Sequence, residues 1–198
     1  MKLYSVPPSP SSKRARVCAA ELGISLELAT LDFAKGEQRS PDYLALNPMG
    51  KVPTLSDGSF VLWESMAILY YFAAQRPGAL WPTELRAQSD ALRWLFFCAA
   101  HIDAHVTTLV VERLFKARRN QSPDPALVAS AVENLGRYLP VLEQQLIGRE
   151  YIAGAFGIVD IALGCTLEAA PALQLDLVPY GNVRAWLARL QSRPSWQS

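Results

Sequence analysis

A chain of 198 residues that is 51% hydrophobic carries enough apolar side chain for the core of one large domain or two small ones. Nineteen basic against eighteen acidic residues, a net charge of +1, give no field that would draw in nucleic acid or an anionic membrane surface. Uninterrupted apolar runs fall short of the roughly 18 residues that span a bilayer, and the chain opens on a strand-like segment, so a cytoplasmic protein is expected.

Lys2–Val6 has strand character and ends at Pro7-Pro8-Ser9-Pro10. A helix is expected from Ser11 or Ser12 to Leu22, with Gly23 as its stop. Ile24–Leu31 alternates with period two and reads as a second strand. Strand, helix and strand in that order imply a parallel pair joined by a right-handed crossover. Lys35–Ser40 is a polar loop, and Pro41–Leu46 has room for one or two helical turns. Val52–Leu55 and Phe60–Leu62, separated by Ser56-Asp57-Gly58-Ser59, form a hairpin, and a helix starts near Glu64. The order is βαβαββα over residues 1–76.

Residues 77–84, rich in Pro and Gly, read as a linker, and after them strand signals vanish. Residues 85–198 are expected to be an all-α helical bundle. Its first helix runs from Glu84 to about Ala117. A second carries Val128, Val132, Leu135, Leu139, Leu142 and Leu146 on one face. A buried helix spans Ile158–Ala170 and a last one Tyr180–Gln191. Gly157, Asp160, Phe156 and Ile161 have the spacing of a capping box with a hydrophobic staple. Cys18, Cys98 and Cys165 are odd in number and each lies in a helical apolar pattern, which suits reduced core residues rather than disulfides or a zinc site.

The stretch with most chemistry is Asn47–Leu55, NPMGKVPTL, followed by Glu64-Ser65. Pro53 stands where a strand opens, and with a cis Val52–Pro53 bond the N–H and C=O of Val52 would face outward to pair with an extended peptide; an ordinary trans bond is the alternative. Glu64 and Ser65 head a helix, whose unpaired N–H groups suit a carboxylate while Glu64 attracts an ammonium. Together they describe a socket for a peptide with an α-amino acid head. The plainer alternative is a glutamate complementing the dipole and a serine capping the turn.

These motifs, in this order, resemble the cytosolic glutathione transferases over essentially the whole chain. NPMGKVPTL is similar to that family's cis-proline loop, Glu64-Ser65 to its acidic-Ser pair, Gly157–Asp160 to its buried capping box, and Arg193-Pro194-Ser195-Trp196 to its usual ending. The resemblance implies an α/β thioredoxin-like N-terminal domain followed by an all-α helical-bundle domain. It implies a homodimer and glutathione as co-substrate, with no metal. Val52 would pair with the cysteinyl backbone, Pro53 would be cis, Glu64 and Ser65 would hold the γ-glutamyl end, and Lys51 would reach the glycyl carboxylate.

Thiol activation is expected where the first strand meets the first helix. Thioredoxin-like folds place a C-P-x-C pair there, but this chain has Ser9-Pro10-Ser11-Ser12, which argues against dithiol redox chemistry. The arrangement resembles the serine-type transferases, with the Ser9 hydroxyl donating to the glutathione sulfur. Ser11 is the rival and Ser12 the expected helix cap. Lowering a thiol pKa by two units takes about 2.7 kcal/mol, within reach of a hydroxyl and a helix terminus. Tyr4 lies inside the strand and suits the core.

By the same resemblance, Val6, Pro7, Val110, Arg113 and Leu114 would line the electrophile pocket. His101, Asp103 and His105 have a spacing that can begin a metal site but lack a third ligand nearby in sequence, so a helix-surface role is expected. Lys13, Arg14 and Arg16 form a small basic cluster expected to face solvent. The expected activity is conjugation of the glutathione thiolate to small hydrophobic electrophiles in detoxification, with peroxidase or dehalogenase side activity. The alternative is a non-catalytic, transferase-like dimeric interaction or stress-response module. An isomerase of the maleylacetoacetate type fits less well, because a cysteine is expected near Ser9–Ser12.

Overall fold

A computed structural model describes all 198 residues, which form two compact units: Met1–Trp81 with Pro194–Ser198, and Pro82–Arg193. In the first unit β1 (Lys2–Ser5), α1 (Pro10–Leu22), β2 (Glu27–Thr30), α2 (Pro41–Leu46), β3 (Thr54–Asp57), β4 (Phe60–Trp63) and α3 (Ser65–Ala74) follow in the order βαβαββα. The sheet order is β2-β1-β3-β4. β1 and β2 are parallel, as their long helical crossover requires, and β1–β3 and β3–β4 are antiparallel. This is the thioredoxin-like arrangement.

The hairpin closes on two residues, because Asp57 pairs with Phe60. Gly58 is at φ +60°, the first central position where such a turn takes glycine. Leu3 and Leu55, opposite one another in register, are fully buried with Val17, Cys18, Ile68, Leu69 and Phe72. These apolar faces of the sheet, α1 and α3 form the first core.

The second unit is all helical. α4 runs over Leu85–Arg118 and widens to π geometry at Cys98–Asp103 and Val110–Phe115. It is long and apolar enough by composition to cross a membrane, but its apolar residues Leu95, Ile102, Val106 and Leu109 lie in the core. α5 (Pro125–Gln145) contributes Leu135, Leu139 and Leu142 to that core. α6 (Ile158–Leu167) is buried at every residue, which explains its apolar character on all sides. α7 is Gly181–Gln191. All three cysteines are buried and form no disulfide.

The expected boundaries at 76 and 85, and the assignment of the whole C-terminal end to the helical domain, need correction. Leu80 and Trp81 are buried within the first unit, where Trp81 packs edge-on against Tyr70 with ring centroids 5.3 Å apart. Pro194–Ser198 also belongs there. Trp196 is buried with Lys13 over its ring, the Ser195 hydroxyl donates to Glu21, and the Arg16 guanidinium donates to the Ser198 carbonyl.

Candidate functional site

The loop before β3 is built on buried polar side chains. The Asn47 amide donates to the Lys51 carbonyl (2.9 Å) and to the Thr54 hydroxyl (3.0 Å), and its oxygen accepts from the Met49 N–H. Tyr43 donates to the Lys51 carbonyl, and the Tyr43 and Thr54 oxygens lie 2.8 Å apart. One proton assignment satisfies the whole ring, with Thr54 donating to Tyr43. Burial pushes the Tyr43 phenol up, which keeps it a neutral donor. Gly50 sits at φ +59°, and a Cβ there would lie 2.9 Å from the Gln38 carbonyl oxygen, so the turn requires glycine.

This frame holds the Lys51 carbonyl and leaves the next residue free. No hydrogen bond within the chain engages the N–H or C=O of Val52, and the Val52–Pro53 peptide is cis. An N–H and C=O on one residue, unpaired and flanked by Lys51, can take one residue of an extended peptide as a strand would. Pro53 is buried and Lys51 exposed. Strand pairing begins at Thr54 rather than at Pro53, which has no N–H to give to the ladder.

Glu64 is the N-cap of α3 and adopts φ +71°, ψ +113°, a conformation that L-residues rarely take. Backbone strain of this kind concentrates at functional positions. Its side chain makes no capping bond, and it is exposed. Ser65 stands at the first helical position rather than at the N-cap, so the serine cap of the plainer alternative is not formed. Ser65 follows as the first residue of α3, 6% exposed, and its hydroxyl accepts from the Arg14 guanidinium at 3.0 Å. Arg14 is itself 2% exposed, so the expectation that it faces solvent is corrected. The sequence gives no sign of this, because a basic cluster on a helix is ordinarily exposed.

The turn between β1 and α1 also departs from expectation. Ser9, not Ser12, is the N-cap: its hydroxyl oxygen accepts from the Ser12 N–H at 3.3 Å. Ser12 is fully buried, and its oxygen accepts from the Val6 N–H. Pro10 occupies the first helical position, where its missing N–H costs nothing, so the helix begins earlier than Ser11. With its oxygen accepting, Ser9 retains a hydroxyl hydrogen to donate. Ser11 lies half-buried on the first turn. Pro7 is exposed and its carbonyl accepts from Arg16; Val6 is half-buried. Tyr4 packs edge-on against Tyr43.

In the second unit, Val110 and Leu114 are half-buried on α4. The half-buried Arg113 guanidinium donates to the carbonyls of Leu173 and Gln174, and so ties down the chain after α6. His101 and His105 pack against Tyr138, with ring centroids 4.7 and 5.9 Å away, and Asp103 accepts from the Thr166 hydroxyl. Burial, with His101 nearby, pulls the His105 imidazole down. No group of three metal-ligating side chains occurs.

Asp160, fully buried, accepts from the N–H groups of Gly157, Ile152 and the Trp186 indole at 2.9–3.1 Å. Burial outweighs these bonds and pushes its carboxyl up to about 6. Glu112, buried on α4, accepts from the Asp124 N–H and from Lys116, and these contacts hold its carboxyl down. It anchors the start of α5 and had no signal in the sequence beyond an ordinary helical glutamate.

Residues 1–74 match the family model "Glutathione S-transferase, N-terminal domain", and residues 92–194 match "Glutathione S-transferase, C-terminal domain". Glutathione S-transferase F10 of Arabidopsis thaliana is 35% identical over 94% of this chain and 90% of its own. Glutathione S-transferase 3 of Zea mays is 32% identical over 100% of this chain and 91% of its own. The theta class glutathione S-transferase of Xanthomonas axonopodis pv. citri, solved with glutathione bound, superposes with a TM-score of 0.90 at 31% identity, covering 99% of this chain and 94% of that one.

Proposed function

Because the chain belongs to the glutathione S-transferase family, we infer that it is an enzyme that conjugates the glutathione thiolate to small hydrophobic electrophiles. The observation that carries this reading is Val52, whose N–H and C=O are both free of intrachain bonds, in the same unit as an N-cap serine and the Glu64-Ser65 pair. Glutathione lies along Val52, which pairs with its cysteinyl backbone. Its γ-glutamyl α-carboxylate takes the Ser65 hydroxyl and the N–H groups opening α3, and its ammonium faces Glu64. Lys51 reaches toward the glycyl carboxylate.

Ser9 then acts on sulfur. Its oxygen accepts from Ser12, so its hydroxyl hydrogen donates to the thiolate, and the N-terminal end of α1 adds positive potential. Stabilising the thiolate in this way raises the fraction of the nucleophilic form at neutral pH. The electrophile meets Val6 and Pro7 on this side. Peroxidase or dehalogenase side activity needs the same thiolate. The protein works in the cytoplasm with reduced glutathione, in keeping with three buried reduced cysteines. It pairs with a second copy of itself; exposed Phe60, Trp63 and Tyr70 in one unit, and Leu92 and Phe96 in the other, are candidates for cover.

Ser9→Ala is expected to reduce turnover about 100-fold, the range of about 10²–10³ seen when one donor to a developing anion is removed, with glutathione affinity by calorimetry nearly unchanged. Ser11→Ala should leave turnover close to wild type. The reverse pattern transfers the role to Ser11. The non-catalytic module would instead show no glutathione-dependent turnover against a panel of electrophiles and hydroperoxides.

A further inference from the structure

We propose that Arg14 is a positioning residue that acts through Ser65, setting the direction and strength of the hydroxyl that binds the γ-glutamyl α-carboxylate; the proposal rests on the glutathione reading of this site. Arg14 lies on α1 and Ser65 opens α3, 51 residues later, and their side chains meet at 3.0 Å in the interior. A guanidinium has five donors and no acceptor, so in this bond Ser65 must be the acceptor. One lone pair of the Ser65 oxygen is thereby occupied from the protein side. The hydroxyl's single hydrogen is then directed away from Arg14.

Two electrical effects follow. A charged donor on the oxygen polarises the O–H bond and strengthens it as a donor to an anion. The guanidinium, which does not lose its proton and is shielded from water, also places a cationic group behind a helix N-terminus that already carries a partial positive charge. Both favour a carboxylate and neither favours a neutral group. Arg14 touches no reacting atom, so its effect belongs to glutathione binding rather than to turnover at saturation.

Two ligands compared in the same protein separate this role from general support of the fold. Calorimetry on the full chain uses glutathione and its analogue 4-aminobutyryl-cysteinyl-glycine, which lacks only the γ-glutamyl α-carboxylate. Arg14→Lys and Arg14→Met should each weaken glutathione binding about tenfold or more, the worth of a charge-assisted hydrogen bond, and weaken the analogue less than about twofold. Ser65→Ala should reduce the same preference, and adding Arg14→Met to it should cost clearly less further preference than Arg14→Met costs in the wild type. Equal weakening of both ligands overturns the proposal, as does full additivity in the double variant. Should Arg14→Met not fold, Arg14→Lys alone and combined with Ser65→Ala give the same comparison. Wild-type protein that fails to bind glutathione overturns the glutathione reading itself, whereas binding with unchanged preference in the Arg14 variants overturns this proposal alone.

Discussion

Asn47 shows how one buried amide can hold a binding edge. It satisfies Lys51 C=O, Thr54 Oγ1 and Met49 N–H at once, and it is 2% exposed, so water cannot replace it. Asn47→Ala strands these groups and is expected to cost about 2–4 kcal/mol in urea unfolding, since each buried polar group left unpaired costs about 1–3 kcal/mol. Glutathione affinity should fall with it, because the loop carrying Val52 loses its anchor. The asparagine was visible in NPMGKVPTL only as a turn former. Its partners Tyr43 and Thr54 come from α2 and β3, and no local pattern announces that Asn47 and Tyr43 share the Lys51 carbonyl while Thr54 links the two. Ser9 carries a similar lesson: Ser9, Ser11 and Ser12 each suit a cap by type, and Pro10 at the first helical position decides among them.

At the scale of elements, α6 was the most legible, because its apolar character on all sides and the Gly157–Asp160 spacing both come from local sequence. Its cap also titrates. The Asp160 carboxyl stands at about 6 in the folded chain against 3.8 ordinarily, so between those values the folded state binds more protons than the unfolded one. Its contribution to stability is then greatest below about pH 4 and is lost as pH rises to 6, a change of about 3 kcal/mol at about 1.4 kcal/mol per unit. Asp160→Asn does not titrate here, and its single oxygen cannot accept all three N–H groups, so it should be less stable at neutral pH by about 1–3 kcal/mol. The gap from wild type should widen as pH falls from 6 to 4 in paired urea titrations; a constant gap would refute the shifted carboxyl. α4 was read correctly as one long amphipathic helix, but its two π segments left no trace in composition.

For the whole molecule, the proposed pairing with a second copy is the property to test. Sedimentation velocity at micromolar concentration should give a species of twice the 21.8 kDa chain mass. A single species at the chain mass would refute the pairing. The sequence by itself determined the order of strands and helices, the change from α/β to all-α, the hairpin that follows Pro53, the helix start at Glu64-Ser65, and the Asp160 cap. Each is written in periodicities and spacings a few residues long, which act through local backbone preferences. Only the tertiary structure decided that Arg14 lies buried beneath Ser65, that Arg113 bonds the Leu173 and Gln174 carbonyls, and that Pro194–Ser198 returns to the first unit around Trp196. Those outcomes depend on contacts between residues far apart in the chain. Burial there is settled by what packs above a side chain, and the side chain's own neighbours in sequence carry no record of it.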